Sequence, residues 1–558
     1  MGSISIILAV DVGSSSVRCT SYELSSRSGS EGVRALEGMN HSIPMTSVSP
    51  NTGYIRILEV INAIDTCVDE VLCLLRQTMT NSFNIAALGF STFVMNLVGV
   101  DEYGYPVGDE ATMSYACNRP EVLDTSKRIE KSLSADAKQT LYQQTGAPIH
   151  PAYALPQMLT FYDTKDSYNS DLVEKVRKWK TISSLCLSRW TGRDHNQIPI
   201  SYSEASWTGM LNYSSCTWND EVMTILGKSC DTSVLPPLSD YDIGDNLGNG
   251  LNEYSYDGSS NIHWNKWPEL RKCQFYLGIG DGAAANIGSK CGPSTNENEK
   301  RRIAVTIGTS AAVRLCLPLE VDITKQFNDI VVPFGLFCYR VDKNTILLGG
   351  ALTDGGSLIE WARTLFGLQS TQSFSECMEK MTALYSSRCS RCDSSSSCVT
   401  MAPFLSGERS TGFRIGASGC ISGITRETTS IDIMYACLES VVLRLSAIIK
   451  LLTNVCADDE CVLVASGNAL ERNELWMQMT SDCSGVELVI DGDSNEGTSR
   501  GVAILIAKKM CLCNAAEELE ILSSAVPDSN KFHVWNKATL AQDNLIGAVS
   551  SIWACNET

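Results

Sequence analysis

Two short segments, about half the chain apart, place a glycine and hydroxyl side chains at a turn between apolar strands. Residues 9–17 read AVDVGSSSV, and residues 304–312 read AVTIGTSAA. Each segment predicts a β-hairpin whose tip presents backbone N–H groups, because glycine lets the chain approach a ligand closely. Successive N–H groups that point the same way can wrap an anion such as a phosphate. One such turn is ordinary, but two copies indicate two similar domains that face each other across a polyphosphate.

The residues of the two tips are the candidate phosphate ligands. They are Gly13, Ser14, Ser15, Gly308, Thr309 and Ser310. Asp11 ends the first strand beside the first tip, where a carboxylate alone would repel a phosphate. A Mg²⁺ ion between the two would remove that repulsion, so Asp11 is a candidate metal ligand, directly or through water. An Asp that only caps the turn is the alternative.

A second candidate acid follows another apolar strand. Gln274–Gly280 reads QFYLGIG, and Asp281 opens the small-residue segment DGAAANIG. A strand-end carboxylate beside glycine suits a general base that accepts a hydroxyl proton, and an ordinary helix N-cap is the alternative. Ser466–Ala469 lies at a strand-to-helix turn. Its bare backbone suits contact with a nucleotide base or ribose, although the same pattern occurs in ordinary loops.

Strand-like runs alternate with helical runs along most of the chain, which predicts an α/β fold. The strands expected outside the two hairpins are Ile85–Phe90 with Phe93–Val100 as its hairpin continuation, Gln274–Gly280 and Cys461–Ala465. The expected helices are Glu130–Tyr142, Asn219–Gly227, Ile431–Val455, Glu471–Thr480 and Gly501–Met510. The polar loop Cys291–Arg301 marks a domain boundary. We therefore predict one domain over residues 1–292, a second over 293–512 and an extension of unknown role over 513–558.

Composition and charge narrow the class of protein. The 558 residues carry 44 Lys and Arg against 63 Asp and Glu, and the net charge of −19 argues against a nucleic-acid or anionic-membrane partner. No apolar run approaches the roughly 20 residues that span a bilayer. The 23 cysteines lie in a long chain whose first apolar run meets Asp11, so reduced thiols and a cytoplasmic location are expected. Cys389, Cys392 and Cys398 favour a flexible Ser-rich loop over half of a zinc site.

An ordered set of motifs resembles those of the FGGY carbohydrate kinases. The motifs are Asp11–Arg18, Asp281–Gly288, Thr306–Ser310, Pro403–Arg409, Ser466–Leu470, Trp476–Gly485 and Glu496–Ala503. The FGGY fold belongs with actin, hexokinase and the Hsp70 ATPase domain. The resemblance therefore implies an α/β protein with two actin-like, ribonuclease H-like domains around a central cleft for ATP and sugar.

Within that family, three further motifs look most similar to the gluconokinase-type branch: Thr92–Asp101, Thr145–Tyr153 and Ser203–Asn212. The resemblance implies Asp281 as the catalytic base, Asp11 as the metal ligand, and ATP and Mg²⁺ as cofactors. The residues implied to contact the nucleotide and its phosphates are Asp11, Gly13, Ser14, Ser15, Arg18, Gly308, Thr309, Ser310, Gly467, Asn468 and Arg472. Those implied to contact the sugar are Asn96, Tyr115, Arg119, Tyr153 and Asp281.

The sequence departs from the branch mainly where the sugar is expected. Val94–Asn96 replaces a typical Trp-His-Ser, Cys117 replaces an Asp, Gln157 replaces a Lys, and Asn468 replaces a Gly on the nucleotide side. The implied reaction is ATP-dependent phosphorylation of a small sugar, sugar acid or polyol, with gluconate favoured. The alternatives are a kinase of a ketopentose or pentitol (xylulose, ribulose or ribitol) and a non-catalytic nucleotide-binding member of the superfamily. The expected partner is a small carbohydrate, with no nucleic acid or membrane, and a homodimer is left open.

Overall fold

The computed structural model describes residues 4–24, 32–79, 82–163, 167–240, 250–293, 299–319, 331–390, 399–456, 459–492, 497–511 and 518–556. Cys392 and Cys398 lie outside these residues, so the loop expected around them stays a prediction. Among the described helices, none is long and apolar enough to cross a membrane.

The first half of the chain alternates strands and helices. Its elements are β1 (Ile4–Val12), β2 (Ser16–Leu24), β3 (Val33–Pro44), α1 (Ile57–Thr78), β4 (Phe83–Thr92), β5 (Asn96–Val100), β6 (Thr112–Ser114), α2 (Pro120–Ser132), α3 (Ala135–Thr145), α4 (Ala154–Asp163), α5 (Ser167–Lys175), β7 (Lys178–Lys180), α6 (Ile182–Thr191), β8 (Ile200–Ser201), α7 (Tyr202–Ser206), β9 (Leu211–Asn212), β10 (Thr217–Trp218), α8 (Asp220–Leu226), β11 (Leu238–Ser239), α9 (Ile262–Lys266), β12 (Gln274–Gly280) and α10 (Asp281–Gly288).

The second half continues the same alternation. Its elements are β13 (Arg301–Ile307), β14 (Ala311–Pro318), β15 (Phe337–Asp342), β16 (Thr345–Leu352), α11 (Gly356–Leu365), α12 (Thr371–Ser390), β17 (Thr400–Ala402), β18 (Cys420–Ser422), α13 (Ser430–Val455), β19 (Cys461–Ser466), α14 (Asn468–Glu471), α15 (Glu474–Ser484), β20 (Leu488–Asp491), α16 (Gly497–Lys509), β21 (Ile521–Ala525) and α17 (Phe532–Asn556).

The two halves build the same central sheet. The strand order is β3-β2-β1-β4-β12 in the first half and β15-β16-β14-β13-β19-β20-β21 in the second. In each half an antiparallel hairpin, β1–β2 or β13–β14, is followed by two strands parallel to its first strand. The inner five strands of the second sheet therefore repeat the order of the first. This duplication confirms the predicted α/β class with two actin-like domains.

Apolar runs explain the central elements of both cores. β1 pairs with β2 on one side and β4 on the other, and Ile6–Val10 are fully buried. A strand covered on both faces reads as such a continuous apolar run. In the second half, α13 begins at a capping box in which Thr429 Oγ1 accepts from the Asp432 amide and the Asp432 carboxylate accepts from the Thr429 amide. The predicted helix Ile431–Val455 is confirmed.

The segment after β4 does not form a hairpin with it, so this expectation was wrong. β5 pairs with β6 and β7 in a separate sheet of three strands. Met95 adopts a φ of 54° just before β5, and Asn96 Oδ1 accepts the amide of Ile182 at 2.9 Å. The predicted helix Glu130–Tyr142 is also divided, between α2 and α3, because the Ser134 side chain caps the start of α3. In both places, apolar spacing alone did not reveal where the chain changes direction.

The end of the chain packs into the second half. β21 pairs antiparallel with β20 at the edge of the large sheet, and α17 packs against α13, α15 and β17. The side chains of Trp535 and Trp553 on α17 are each 3% exposed. The bounds 1–292, 293–512 and 513–558 stay predictions, and this packing argues for counting β21 and α17 with the second domain.

Two helices rich in small residues join the halves. A Cβ atom on Gly288 of α10 would lie 1.7 Å from the carbonyl oxygen of Gly497 in α16. A Cβ atom on Gly501 of α16 would lie 1.8 Å from the carbonyl oxygen of Ala284 in α10. The two helices therefore touch backbone to backbone, which requires glycine at these positions.

We expect Gly501→Ala to lower the thermal unfolding midpoint, because overpacking a closed contact costs about 1–3 kcal/mol. The matched control is Gly547→Ala in α17, where a Cβ atom meets nothing within 4 Å. That change should raise stability by up to about 1 kcal/mol, since alanine is the better helix former. Thermal unfolding of both variants checks this, and stabilisation of both would contradict the close contact.

Candidate active site

Both hairpin tips lie on one cavity between the two halves. Ser14 from the first tip and Ser310 from the second line a cavity of about 280 Å³, and Asp281 lines it as well. The structure therefore has a cavity at the place where the two similar turns were predicted to share a ligand.

Neighbouring backbone holds the carbonyl groups of both tips. At the first tip, Ser47 donates from its amide to the Ser14 carbonyl at 2.9 Å and from Oγ to the Gly13 carbonyl at 2.8 Å. At the second tip, the amide of Gly356 donates to the Gly308 carbonyl at 2.8 Å, and the amide of Gly355 donates to the Thr309 carbonyl at 3.0 Å. These bonds fix each tip from its carbonyl side.

The amide groups of the same tips are left for a ligand. Among the described residues, no backbone carbonyl accepts from the N–H groups of Ser14, Ser15, Thr309 or Ser310. The first turn is also longer, since residues 13–16 separate the pair Val12 and Val17, whereas residues 308–310 separate Ile307 and Ala311. The two tips therefore present similar N–H groups in loops of different length.

Two carboxylates come together at one sheet edge. β1, β4 and β12 run parallel, with Asp11 beside Ser91 and Gly280 beside Thr92. Asp281 follows β12 directly, so it lies at the same carboxyl-terminal edge, where open α/β sheets bind ligands. Ser91 Oγ donates to Asp11 Oδ1 at 2.6 Å. The structure thus brings the candidate metal ligand and the candidate base to one place.

Burial makes Asp281 a stronger base than an ordinary Asp. Its pKa is raised to about 6, mainly by desolvation; the positive charge of Arg314 opposes this rise and the nearby Asp11 carboxylate adds to it. Trp207 supplies part of the apolar surface around Asp281. Its ring packs on the backbone of the preceding residue, since a Cβ atom on Gly280 would lie 1.2 Å from Cζ2 of Trp207. Asp281 accepts the amide of Gly282 at 2.6 Å, and α10 has no side-chain cap at its N-cap residue, Gly280.

Arg314 was not among the residues selected from the sequence. It projects from β14 of the second half into the cavity and interacts electrostatically with Asp281. Its Nε atom lies 3.1 Å from where a Cβ atom on Gly282 would stand. A cation at this point can balance negative charge on a transferred phosphoryl group. Its signal in the sequence is a single arginine inside an otherwise apolar strand, VRLCL.

Arg409 marks another part of the cavity and was also missed as a site residue. Its guanidinium stands 5.8 Å from the Tyr115 ring centre and lowers the pKa of His150, a nearby cavity residue.

Tyr153 donates to or accepts from Tyr339 across the two halves, with 2.7 Å between the hydroxyl oxygens. Burial raises the pKa of both tyrosines, so they remain neutral hydrogen-bonding groups.

The predicted sugar ligands divide into two groups. Tyr115 and Tyr153 line the cavity with Asp281. Asn96 is 3% exposed, and its amide donates to Thr92 Oγ1 and to the Phe93 carbonyl, so it braces the wall behind. Arg119 donates to the Tyr54 hydroxyl at 2.9 Å and does not line the cavity among the described residues.

The predicted adenosine turn lies beside the second tip. Thr306 Oγ1 and Ser466 Oγ are 2.8 Å apart on neighbouring strands. Gly467 has a φ of 96°, and a Cβ atom there would lie 2.9 Å from the Ile307 carbonyl oxygen. Asn468 begins α14.

The two predicted nucleotide-contacting arginines lie elsewhere. Arg472 follows α14 with an exposed side chain, and Arg18 stands opposite Asp11 on β2.

The groups around Asp11 fit a Mg²⁺ ion that arrives with a nucleotide. Mg²⁺ is typically held by one or two carboxylates together with phosphate oxygens and water. Asp11 supplies one carboxylate, and it lies close enough to Asp281 to raise the pKa of that group. Among the described residues, no cluster of three or more His, Cys, Asp or Glu side chains forms a closed metal cage. Asp11 is therefore the residue that would hold the ion.

Known proteins match both halves of the chain. The model of the FGGY family of carbohydrate kinases, N-terminal domain, matches residues 6–242, and that of the C-terminal domain matches residues 303–510. A gluconokinase from Bacillus subtilis (strain 168) is 25% identical over 429 residues, which is 75% of this chain and 74% of that protein. These matches define the class of protein, a sugar kinase that takes ATP and a small sugar substrate. The chain belongs to the FGGY family of carbohydrate kinases.

Solved structures share the fold. A gluconate kinase from Lactobacillus acidophilus matches with a TM-score of 0.77 and 20% identity, covering 99% of both chains. A xylulose kinase from the same species matches with a TM-score of 0.77 and 19% identity, again over 99% of both chains. Since proteins with different sugar names match equally well, fold similarity does not select the sugar.

Proposed function

We propose that this kinase phosphorylates D-gluconate: ATP + D-gluconate = ADP + 6-phosphogluconate. The observation that carries the proposal is the guanidinium of Arg409, which lines the cavity with Tyr115, His150 and Tyr153. Among the described residues, no hydrogen-bonding partner is found for this guanidinium. An arginine whose hydrogen-bond donors have no partner among the described residues suits a carboxylate, which it can bind with two hydrogen bonds. Gluconate carries a carboxylate, whereas xylulose, ribulose and ribitol are neutral.

His150 complements this cation without adding charge. Burial and the positive charge of Arg409 lower the pKa of His150 to about 4, so its ring is neutral at pH 7. Its Nδ1 atom accepts the amide of Ala152 at 3.1 Å. The ring proton is therefore on Nε2, where it can donate to a carboxylate or hydroxyl oxygen. The resulting pair of donors supports recognition of a sugar acid.

The proposed chemistry uses Asp281 as the base. Asp281 accepts the proton of the terminal hydroxyl group while that oxygen attacks the γ-phosphorus of ATP in line, and the bond from the γ-phosphorus to the bridging oxygen breaks to release ADP. Its pKa of about 6 keeps it ionised at pH 7 but more basic than an ordinary Asp. The backbone N–H groups of the two hairpin tips and the guanidinium of Arg314 balance the negative charge on the phosphoryl oxygens. Mg²⁺ held at Asp11 would supply further positive charge to the same oxygens.

A substrate screen tests the proposal. ADP release is measured with gluconate, xylulose, ribulose, ribitol and glycerol, and kcat/KM should be highest for gluconate. A higher value for a neutral sugar would assign the ketopentose or pentitol alternative. ATP binding without turnover on any of these compounds would assign the non-catalytic alternative. We further propose that the enzyme is cytoplasmic and that it binds no nucleic acid or membrane, because its net charge of −19 disfavours anionic surfaces.

Asp11→Asn should change the metal dependence of the reaction. The amide keeps the shape of the side chain but loses the negative charge that Mg²⁺ prefers. We expect the Mg²⁺ concentration for half-maximal rate to rise at least about tenfold, the equivalent of about 1.4 kcal/mol. The control is Asp281→Asn, which should lower the rate at saturating Mg²⁺ instead. An unchanged Mg²⁺ requirement in Asp11→Asn would exclude its role as the metal ligand.

A further inference from the structure

The last helix of the chain contacts a loop that lines the cavity. Residues 403–419, here called the cavity loop, connect β17 to β18, and Arg409, Ser410 and Phe413 of this loop line the cavity. The matching family model ends at residue 510, so α17 lies beyond it. We propose that α17 holds the cavity loop in place for the sugar, with Gln542 and Asp543 as positioning residues.

Apolar contacts attach α17 to the loop. Ile546 and Trp553 of α17 share one buried cluster with Phe404 and Ala417 of the cavity loop. The rings of Phe404 and Trp553 meet edge to face with 5.6 Å between their centres. The start and the end of the loop therefore rest on the same face of one helix.

Gln542 secures the strand from which the loop begins. Its side chain is 1% exposed, and Nε2 donates to the carbonyls of Met401 at 2.9 Å and Ser440 at 3.2 Å. Met401 belongs to β17 and Ser440 to α13. One buried amide that donates to both carbonyls links β17 to α13 and favours their observed spacing.

Asp543 acts on the loop through Arg444 of α13. Arg444 Nη1 lies 3.4 Å from Asp543 Oδ1, while Nη2 donates to Thr411 Oγ1 at 2.7 Å and lies 3.6 Å from Glu408 Oε1. Arg444 is 5% exposed, and this burial lowers its pKa against the raising effects of Glu408 and Asp543. The two carboxylates hold the guanidinium between the helix and the loop.

Glu408 connects the Arg444 contacts to Arg409, which lines the cavity. It is 2% exposed, it accepts the amide of Gly412 at 3.1 Å, and it directly precedes Arg409. The Ser410 amide donates to the Ala351 carbonyl of β16 at 3.0 Å, which fixes the other side of Arg409. Displacement of Glu408 would therefore turn Arg409 relative to the cavity.

Gln542→Met tests the proposal by two independent measurements on the full-length protein. Methionine keeps the side-chain volume but removes the buried donor that joins the carbonyls of Met401 and Ser440. We expect amide hydrogen exchange over residues 403–419 to become at least about fivefold faster, with exchange over the hairpin β13–β14 unchanged. KM for the best sugar of the substrate screen should rise about 5- to 20-fold, while KM for ATP and kcat change less than about threefold.

Asp543 provides the second variant and its rescue. Its side chain is 59% exposed, so Asp543→Asn is compatible with folding, and it should raise the sugar KM a few-fold while Asp543→Glu restores it. Asn544→Ala, at an exposed neighbouring position on α17, is the matched control and should leave both readouts unchanged. A uniform rise in exchange with an unchanged sugar KM, or no change in either readout, would overturn the proposal. The exchange result does not depend on gluconate being the substrate, so it is separable from failure of the proposed function.

Discussion

Asp281→Asn should lower kcat by about 10²–10⁴-fold, the usual contribution of a positioned general base. The amide matches the shape of the carboxylate but cannot accept the proton of the attacking hydroxyl. KM for ATP should change little, because the tip amides at Ser14 and Ser310 do not depend on this side chain. Steady-state kinetics with gluconate at pH 8 give the measurement. Normal turnover in this variant would refute the assigned mechanism.

The pH profile separates a base from a helix cap. Since burial raises the pKa of Asp281 to about 6, the wild-type rate should fall about tenfold per pH unit below 6 and level off above it. This acidic limb should be missing from the residual rate of Asp281→Asn. Because the folded-state pKa lies above the usual value for Asp, the stability gained from protonation is lost as pH rises through about 6. The Asn variant should therefore unfold no earlier than wild type at pH 8.

Arg409→Gln should raise KM for gluconate about 10- to 150-fold, the range expected for hydrogen bonds to a charged group. The change removes the positive charge but keeps two donors on a shorter side chain. Turnover of any neutral sugar found in the screen should be reduced far less, because no carboxylate is lost from the contact. Initial rates over a range of sugar concentrations measure both effects.

Arg119→Gln is the matched control for the loss of the positive charge in Arg409→Gln. The family resemblance implies that Arg119 contacts the sugar, whereas the structure places its guanidinium on Tyr54, with Cζ 4.6 Å from the ring centre. We expect KM for gluconate to change less than about threefold in this variant. A larger loss from Arg119→Gln than from Arg409→Gln would contradict carboxylate recognition by Arg409.

The parts of the site made by local sequence were predictable. A hairpin tip and a strand-end carboxylate depend on residues within one turn of the chain, so the segment after Gly13 and the position of Asp281 follow from composition and spacing. The duplicated turns also indicated that two sheets share a ligand. The strands β4, β12 and β19 were recognised because each is a short apolar run bounded by polar residues or glycine.

The parts made across the fold were not predictable in this way. Arg314 and Arg409 reach the cavity from the second half, and no local pattern states which buried space an arginine enters. In the sequence, Asn96 is a polar residue near a strand end. In the structure, its side-chain amide bonds to Thr92, to the Phe93 carbonyl and to the backbone N–H of Ile182, all in the wall behind the cavity. Tertiary packing decides such cases, because buried polar groups satisfy whichever partners the fold brings close.

The paired contact of α10 with α16 has the form of an isologous interface within a single chain. Ala284 meets Gly501 and Gly288 meets Gly497, so the same contact occurs twice, once on each side of a local two-fold axis. Such an axis is the symmetry of a homodimer, so the chain repeats within itself the arrangement that two identical subunits would make. The two hairpin tips face a ligand in the same cavity from opposite halves of this repeat. The ligand itself is unsymmetrical, and the exchange of Asp11 for Thr306 between the tips supplies the matching asymmetry.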